Sequence, residues 1–190
     1  MITIFTEMSL SEMRAETEAI AADAQQAFGH LNAQQLNWKP SAEAWSVAQC
    51  LDHLLTANEE MFRPMDKAMA GTKQPAFFER LPMLPGLFGR LMVNAVSPDA
   101  KRKLKAPSTA KPAASALDAQ TVNRFVTQQR DLIERLQRLE RVDAARLIMT
   151  SPFARFITYS VLDACRVIVA HERRHLAQAQ RVTETPGFPH

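Results

Sequence analysis

Apolar residues recur at helical spacing in four separate stretches of the 190-residue chain, and this periodicity limits the folds that it can adopt. The stretches are residues 9 to 31, 46 to 61, 115 to 139 and 157 to 183. Spacings of three and four residues place apolar side chains on one face of a helix, and no segment alternates convincingly like a strand. Amphipathic helices that must each bury one face predict an all-α fold, a four-helix bundle.

Local signals indicate where these helices begin and end. Three pairs of residues with capping-box spacing precede the first three helices: Ser9 with Glu12, Ser46 with Gln49, and Ser115 with Asp118. Pro64 is predicted to kink or end the second helix, because an interior proline removes a hydrogen bond and clashes with the preceding turn. The last helix is predicted to run from Ile157 to Thr183, before Pro186 and Gly187.

The connection between the second and third helices, residues 71 to 115, is long and rich in proline. It contains six of the eleven prolines, so long regular elements are not expected there. Residues 81 to 92 are too apolar for a solvated linker and predict a short helix packed on the bundle. The connection as a whole predicts a long crossover between helices two and three. Its basic residues 101 to 105 are expected to form a solvated loop, and binding of an anionic ligand or surface is the alternative.

Composition excludes several classes of protein. Apolar residues make up 46% and charged residues 23% of the chain, close to the averages of globular proteins, so a disordered or fibrous protein is not expected. The length fits one domain, and we expect residues 1 to 190 to form a single helical-bundle domain. The formal charge of +3 is too small to predict a nucleic-acid partner.

Targeting and cysteine patterns favour a cytoplasmic location. Nothing at the start of the sequence has the pattern of a signal peptide, and no stretch reaches the roughly 18 to 20 consecutive apolar residues of a membrane span. The two cysteines, Cys50 and Cys165, are too few for a disulfide framework. We therefore expect a cytoplasmic protein that has no membrane segment and carries two free thiols.

His171 and His175 are the most informative polar residues. They are four residues apart on the predicted last helix, so their side chains project from one face and can reach one ion. They lie on the apolar stripe of that helix, where two buried imidazoles need compensation for lost hydration. A divalent metal ion would supply it, whereas a buried histidine often simply donates to a carbonyl or carboxylate.

His53 is the predicted third ligand. It lies at the edge of the apolar stripe of the second helix, and helical bundles build metal sites from side chains on facing helices. By itself it would be interpreted as an ordinary buried histidine, but the three histidines together favour one metal site. Neutral nitrogen ligands suit zinc or nickel, and three protein ligands leave coordination positions open for water or substrate.

The sequence from His171 to His175, HERRH, also matches the pattern of zinc metalloproteases, in which the glutamate is the general base. The extended form of that pattern needs a glycine and a histidine where this chain has Gln178 and Arg181. The protease interpretation is therefore rejected. Glu172 lies about 100° around the helix from His171 and is expected to be a solvated partner for a nearby arginine.

Three stretches of the sequence resemble the DinB/YfiT-like metalloenzyme family, and the resemblance covers most of the chain. Residues 45 to 54, WSVAQCLDHL, resemble the Trp-Ser segment that leads to the first metal histidine of that family. Residues 171 to 178, HERRHLAQ, resemble its terminal His-x-x-x-His-x-x-Gln helix, and residues 103 to 107, KLKAP, are loosely similar to its crossover. The resemblance implies a four-helix bundle with a metal site formed by His53, His171 and His175.

The resemblance also implies a range of activities. Characterised relatives include thiol-dependent S-transferases and a thiol-dependent maleylpyruvate isomerase, and homodimers are frequent, so a homodimer is expected here. Since many members have no assigned activity, membership does not select a reaction. The leading hypothesis is a metal-dependent transferase that acts on a small molecule, with a low-molecular-weight thiol as a partner and a metal-bound thiolate or water as the nucleophile. The alternatives are a metal-dependent hydrolase and a non-catalytic helical bundle that binds a metal or a partner.

Helical position suggests further pocket residues around the histidines. Trp45, Asn58 and Tyr159 are candidate pocket residues by helical position alone, and for Trp45 the favoured interpretation is packing at the start of its helix. Cys50 lies about one turn before His53 and could reach the site as a thiol, but a small core residue is the favoured interpretation.

Overall fold

The computed structural model describes residues 4 to 73, 77 to 80, 84 to 100, 111 to 112 and 116 to 189. Its helices are α1 (Leu10–Phe28), α2 (Ala33–Asn37), α3 (Val47–Met69), α4 (Leu84–Val96), α5 (Thr121–Leu139) and α6 (Val161–Thr183). Two short strands, β1 (Ile148–Thr150) and β2 (Thr158–Ser160), and two 3-10 turns, Phe5–Glu7 and Phe77–Arg80, complete the described elements. The all-helical class predicted from periodicity is confirmed, with one small ribbon added.

Capping boxes start two of the long helices where the sequence predicts them. At α1, the Ser9 hydroxyl accepts from the Glu12 backbone N–H, and the Glu12 carboxylate accepts in return from the Ser9 N–H. At α3, Ser46 and Gln49 exchange the same two hydrogen bonds, at 3.1 and 3.2 Å. Each box satisfies backbone donors that the first turn of a helix leaves without partners.

Three predicted helix boundaries are wrong. Of the two outcomes predicted at Pro64, a kink or an end, the end is wrong: α3 continues to Met69, because Met65 and Ala68 beyond the proline are buried and offset the one lost hydrogen bond. The helix predicted from residue 115 begins at Thr121, and its N-cap, Gln120, makes no side-chain capping bond. Ser115 lies outside the described residues.

The third wrong boundary is the start of the last helix, which begins at Val161 and not at Ile157. Residues 158 to 160 pair antiparallel with β1, and Met149 lies opposite Tyr159. The Ser160 hydroxyl then accepts from the Asp163 backbone N–H at 3.0 Å and starts α6. Strands of three residues are too short to show a clear alternation in sequence, so only the long-range pairing reveals them.

Helices α1 and α3 each pack against both α5 and α6, and the apolar stripes of these four helices meet in the core. Ile20, Leu54, Leu132 and Ala164 represent the four stripes, and all of them are fully buried. Burial of each leucine stabilises the folded state by about 1.5 to 3 kcal/mol relative to exposure. Within the described ranges, no helix combines the length and the apolar character that crossing a membrane requires.

Helix α4 lies on α6 and β2, as the short apolar helix predicted within the crossover should. The approach is close at Gly89, where an added Cβ would lie 2.3 Å from Oδ2 of Asp163. At the far end of the helix, the Arg174 guanidinium donates to the Ser97 carbonyl at 3.0 Å. These two contacts hold α4 beside the segment of α6 that carries the histidines.

Candidate metal centre

The packing of α3 against α6 brings three histidines together. His53 comes from α3, and His171 and His175 come from successive turns of α6. One ligand nitrogen of each lies within 4.8 Å of the others, and the Nε2 atoms of His53 and His171 are 3.2 Å apart. His53 and His175 are buried and His171 is half-buried. The structure therefore places all three predicted ligands in one cluster.

The separation of the His53 and His171 nitrogens fits ligands that share a divalent ion. Two nitrogens at about 2.0 to 2.1 Å from a tetrahedral zinc would be separated by about 3.3 Å, close to the distance between His53 and His171. Nδ1 of His175 is buried and has no hydrogen-bond partner among the described residues. A buried polar atom without a partner costs about 1 to 3 kcal/mol, and a metal ion bound at Nδ1 would compensate for it. The donor set and this orphaned nitrogen both suit a metal.

The protonation state of the cluster also suits metal binding. Burial, followed by the imidazoles of His175 and His53, holds the pKa of His171 well below its ordinary value. Burial, followed by His53 and the Arg174 guanidinium, lowers the pKa of His175 to about 3. Both rings on α6 are therefore neutral at pH 7 and keep a lone pair for coordination.

Trp45 packs against two of the three imidazoles. Its indole stacks on His175 with ring centroids 5.6 Å apart and planes inclined by 19°, and it contacts His53 at 5.0 Å. Trp45 immediately precedes Ser46, the N-cap of α3, so the capping box that starts the helix also places the indole. The side chain restricts the orientation of both rings and shields them from water on one side.

Glu172 does not have the environment that the sequence suggested. It is fully buried, and its Oε1 accepts from Asn58 Nδ2 at 2.8 Å and from Gln129 Nε2 at 2.9 Å. The expected solvated pair with an arginine is wrong, because Glu172 faces the core, where Asn58 of α3 and Gln129 of α5 reach its carboxylate. The neighbouring Arg173 pairs with Glu16 and Asp23 of α1 instead.

Burial also changes the charge state of Glu172. It raises the pKa of the carboxyl to about 7, and the hydrogen bonds from Gln129 and Asn58 offset part of that rise. Glu172 does not line the cleft beside the histidines, so it lacks access to a substrate as a general base. This placement agrees with the rejection of the metalloprotease interpretation.

The histidines line one wall of a large cleft, which we call the histidine cleft. Its volume is about 1270 Å³, and α3, α4, α6 and the segment before α3 all contribute to its walls. Trp45, Asn58 and Tyr159 line it together with the histidines, whereas Cys50 is not among the lining residues. Cys50 is fully buried, and burial raises the pKa of its thiol to about 12.

Sequence reasoning missed the charged residues of the histidine cleft. Arg174 and Arg181 on α6 line it, as does Gln178 between them. They follow His171 by three, seven and ten residues, a helical spacing that could have placed them on the same face. The basic residues 101 to 105 lie outside the described residues, so their predicted role is not decided by the structure.

Comparison with known proteins identifies the family. The sequence profile of the DinB superfamily matches residues 16 to 179. The chain belongs to the DinB superfamily. It is also 29% identical over 155 residues to the uncharacterized protein YuaE of Bacillus subtilis (strain 168), which covers 81% of this chain and 86% of that protein. No solved structure gives a significant match. The parts of α3 and α6 that carry the three histidines both lie within residues 16 to 179, the range that matches the DinB superfamily.

Proposed function

We propose that this protein is a metal-dependent enzyme in which His53, His171 and His175 hold one divalent cation. The observation that carries the proposal is the convergence of three imidazoles, two of them neutral at pH 7, on the wall of a cleft that can admit a small molecule. Structural zinc usually has four protein ligands, whereas three leave a position open. A catalytic metal explains the arrangement better than a structural one.

Zinc or nickel is the proposed metal, since both accept imidazole nitrogen as a ligand. A divalent cation held by neutral ligands lowers the pKa of a bound thiol or water and so supplies a nucleophile near neutral pH. The protein contributes orientation and shielding. Trp45 fixes two of the rings, and Tyr159 and Met61 line the cleft on the side of β2 and α3.

The proposed reaction is a thiol-dependent S-transfer, in which a low-molecular-weight thiol and a second small molecule both enter the histidine cleft. Its size supports two ligands, since a single drug-sized ligand occupies a pocket of about 300 to 1000 Å³. Hydrolysis is the alternative that uses the same residues with water as the nucleophile. A four-helix bundle with a crossover between α3 and α5 is part of the proposal, supported by the contacts of α1 and α3 with α5 and α6. A homodimer remains the expected assembly.

Metal analysis of protein purified without a histidine tag tests the site. We expect about one equivalent of zinc or nickel in wild type and a loss of most of it in His175→Ala, which removes one of three ligands. His30→Ala is the matched control, because His30 is exposed and lies outside the cluster. Wild-type protein that binds no divalent metal, even after incubation with zinc or nickel, would refute the proposal.

Thiol assays test the reaction on metal-loaded protein. Glutathione, bacillithiol or mycothiol is supplied with an electrophilic acceptor, and the loss of free thiol is followed. We expect metal-dependent transfer with at least one of the three, and none with the His175→Ala variant. Ester or amide cleavage without thiol consumption would instead favour the hydrolase.

A further inference from the structure

The charged residues of the histidine cleft are unbalanced. Within the described ranges, four cationic side chains line it and only one acidic side chain does; the cations are Lys39, Lys111, Arg174 and Arg181, and the acid is Glu43. The histidines carry no negative charge, and a divalent metal would add more positive charge. The field in the cleft therefore favours an anion.

The arginines of α6 differ in their carboxylate partners according to whether they line the cleft. Arg166 and Arg173, which do not line the cleft, pair with carboxylates on α6 and α1. Arg174 and Arg181 line the cleft, and neither has a carboxylate partner in the part of the chain that the structure describes. Among the described residues, carboxylates therefore balance the arginines that face away from the cleft, whereas the positive charge of the two cleft arginines is not balanced.

The positions of Arg174 and Arg181 along α6 would allow both arginines to contact one ligand that is also bound at the histidines. Arg174 lies one turn beyond His171 and is held by the Ser97 carbonyl, so its guanidinium has a defined place beside the metal site. Arg181 lies six residues after His175, about 9 Å further along the helix axis. A guanidinium binds carboxylate or phosphate through two parallel hydrogen bonds. A ligand that reaches from the histidines to Arg181 must therefore be several bonds long and carry its anionic group at the far end.

We propose that the substrate of the histidine cleft is an elongated anionic thiol or acceptor, whose carboxylate or phosphate is bound by Arg181, with Arg174 nearer the metal. This inference rests on the proposed function and names the substrate class of the same site. It makes Arg181 a specificity determinant, because an exposed side chain at the rim can discriminate between ligands without contributing to the fold.

Calorimetric titration of metal-loaded protein with two matched pairs of thiols tests the proposal. Glutathione is compared with its diethyl ester, which lacks the carboxylate charges, and coenzyme A with pantetheine, which lacks the phosphates. We expect the anionic member of at least one pair to bind about fivefold more tightly, and that preference to fall between about 50 and 300 mM NaCl. The pair that shows the preference identifies the anionic group. Equal affinities within both pairs would overturn the inference.

Variants assign the preference to a residue. Arg181→Gln is expected to reduce the preference about threefold and Arg181→Glu to abolish it, while the affinity for the neutral thiols stays the same. Arg146→Gln is the matched control, because Arg146 is 88% exposed and lies outside the cleft. An unchanged preference in both Arg181 variants would overturn the assignment.

S-methylglutathione separates this inference from the proposed function. If the metal does not bind thiols, glutathione and S-methylglutathione will bind equally, and both will still bind more tightly than the diethyl ester. If the cleft has no anion site, glutathione will bind no more tightly than its diethyl ester but still more tightly than S-methylglutathione. The two failures therefore give different results.

Discussion

Two glycines of α4 allow a matched test of how closely this helix approaches α6. At Gly89, an added Cβ would lie 2.3, 2.7 and 2.9 Å from Oδ2, Cγ and Cβ of Asp163. Asp163 cannot move away easily, because one carboxylate oxygen accepts from the Ser160 hydroxyl at 2.8 Å and the other from Arg166 at 3.0 Å. At Gly86, in the same helix, an added Cβ would meet nothing within 4 Å.

The same substitution should therefore have opposite effects at the two positions. Gly89→Ala must displace α4 or break the Asp163 contacts, and overpacking of this kind costs about 1 to 3 kcal/mol. Gly86→Ala should stabilise the protein by about 0.5 kcal/mol, because alanine loses less backbone entropy in a helix. Because the gain in backbone entropy is common to both variants, their free energies of unfolding should differ by the overpacking cost alone, roughly 1 to 3 kcal/mol.

Urea unfolding followed by circular dichroism measures this difference. The dependence of the unfolding free energy on urea should stay the same in both variants, so the midpoints alone report the change in stability. If Gly89→Ala were as stable as Gly86→Ala, α4 would not lie against Asp163 as described, and the position of this wall of the histidine cleft would be wrong.

Three further predictions concern buried groups. Cys50 and Cys165, whose pKa burial raises to about 12, should not react with a thiol reagent such as DTNB at pH 8 in the folded protein and should both react in urea; rapid labelling of either in the native state would contradict their burial. Burial raises the pKa of Glu172 to about 7 from its ordinary 4.5, so the folded state favours the protonated carboxyl. The contribution of this carboxyl to the free energy of unfolding is therefore complete below about pH 4.5 and is lost as the pH rises through 7. In chelator-treated protein, wild type should therefore lose up to about 3 kcal/mol relative to Glu172→Gln between pH 5 and 9, and parallel pH profiles of the two would refute this. Ser46→Ala should cost about 1 kcal/mol in urea unfolding, because the α3 capping box is lost, and an unchanged unfolding midpoint would contradict this.

The sequence was sufficient to predict the helices whose signals come from residues close together in the chain. Helical periodicity and the capping boxes depend on residues within a few positions of one another, so the starts of α1 and α3 and the course of α6 could be predicted. That His171 and His175 share one face of α6 could be predicted in the same way, because they are only four residues apart. The start of α6 could not be predicted, because residues 158 to 160 pair with β1 ten residues earlier.

Only the tertiary structure decided the environment of the site. The 3.2 Å distance between His53 and His171 joins residues 118 positions apart and depends on how α3 packs on α6. The burial of Glu172 depends on how α6 faces the core, where side chains of α3 and α5 donate to its carboxylate. That none of the described carboxylates pairs with Arg181 likewise becomes visible only when the acidic residues around α6 are placed in space. Periodicity determines which residues share a face of a helix, but packing determines what that face meets.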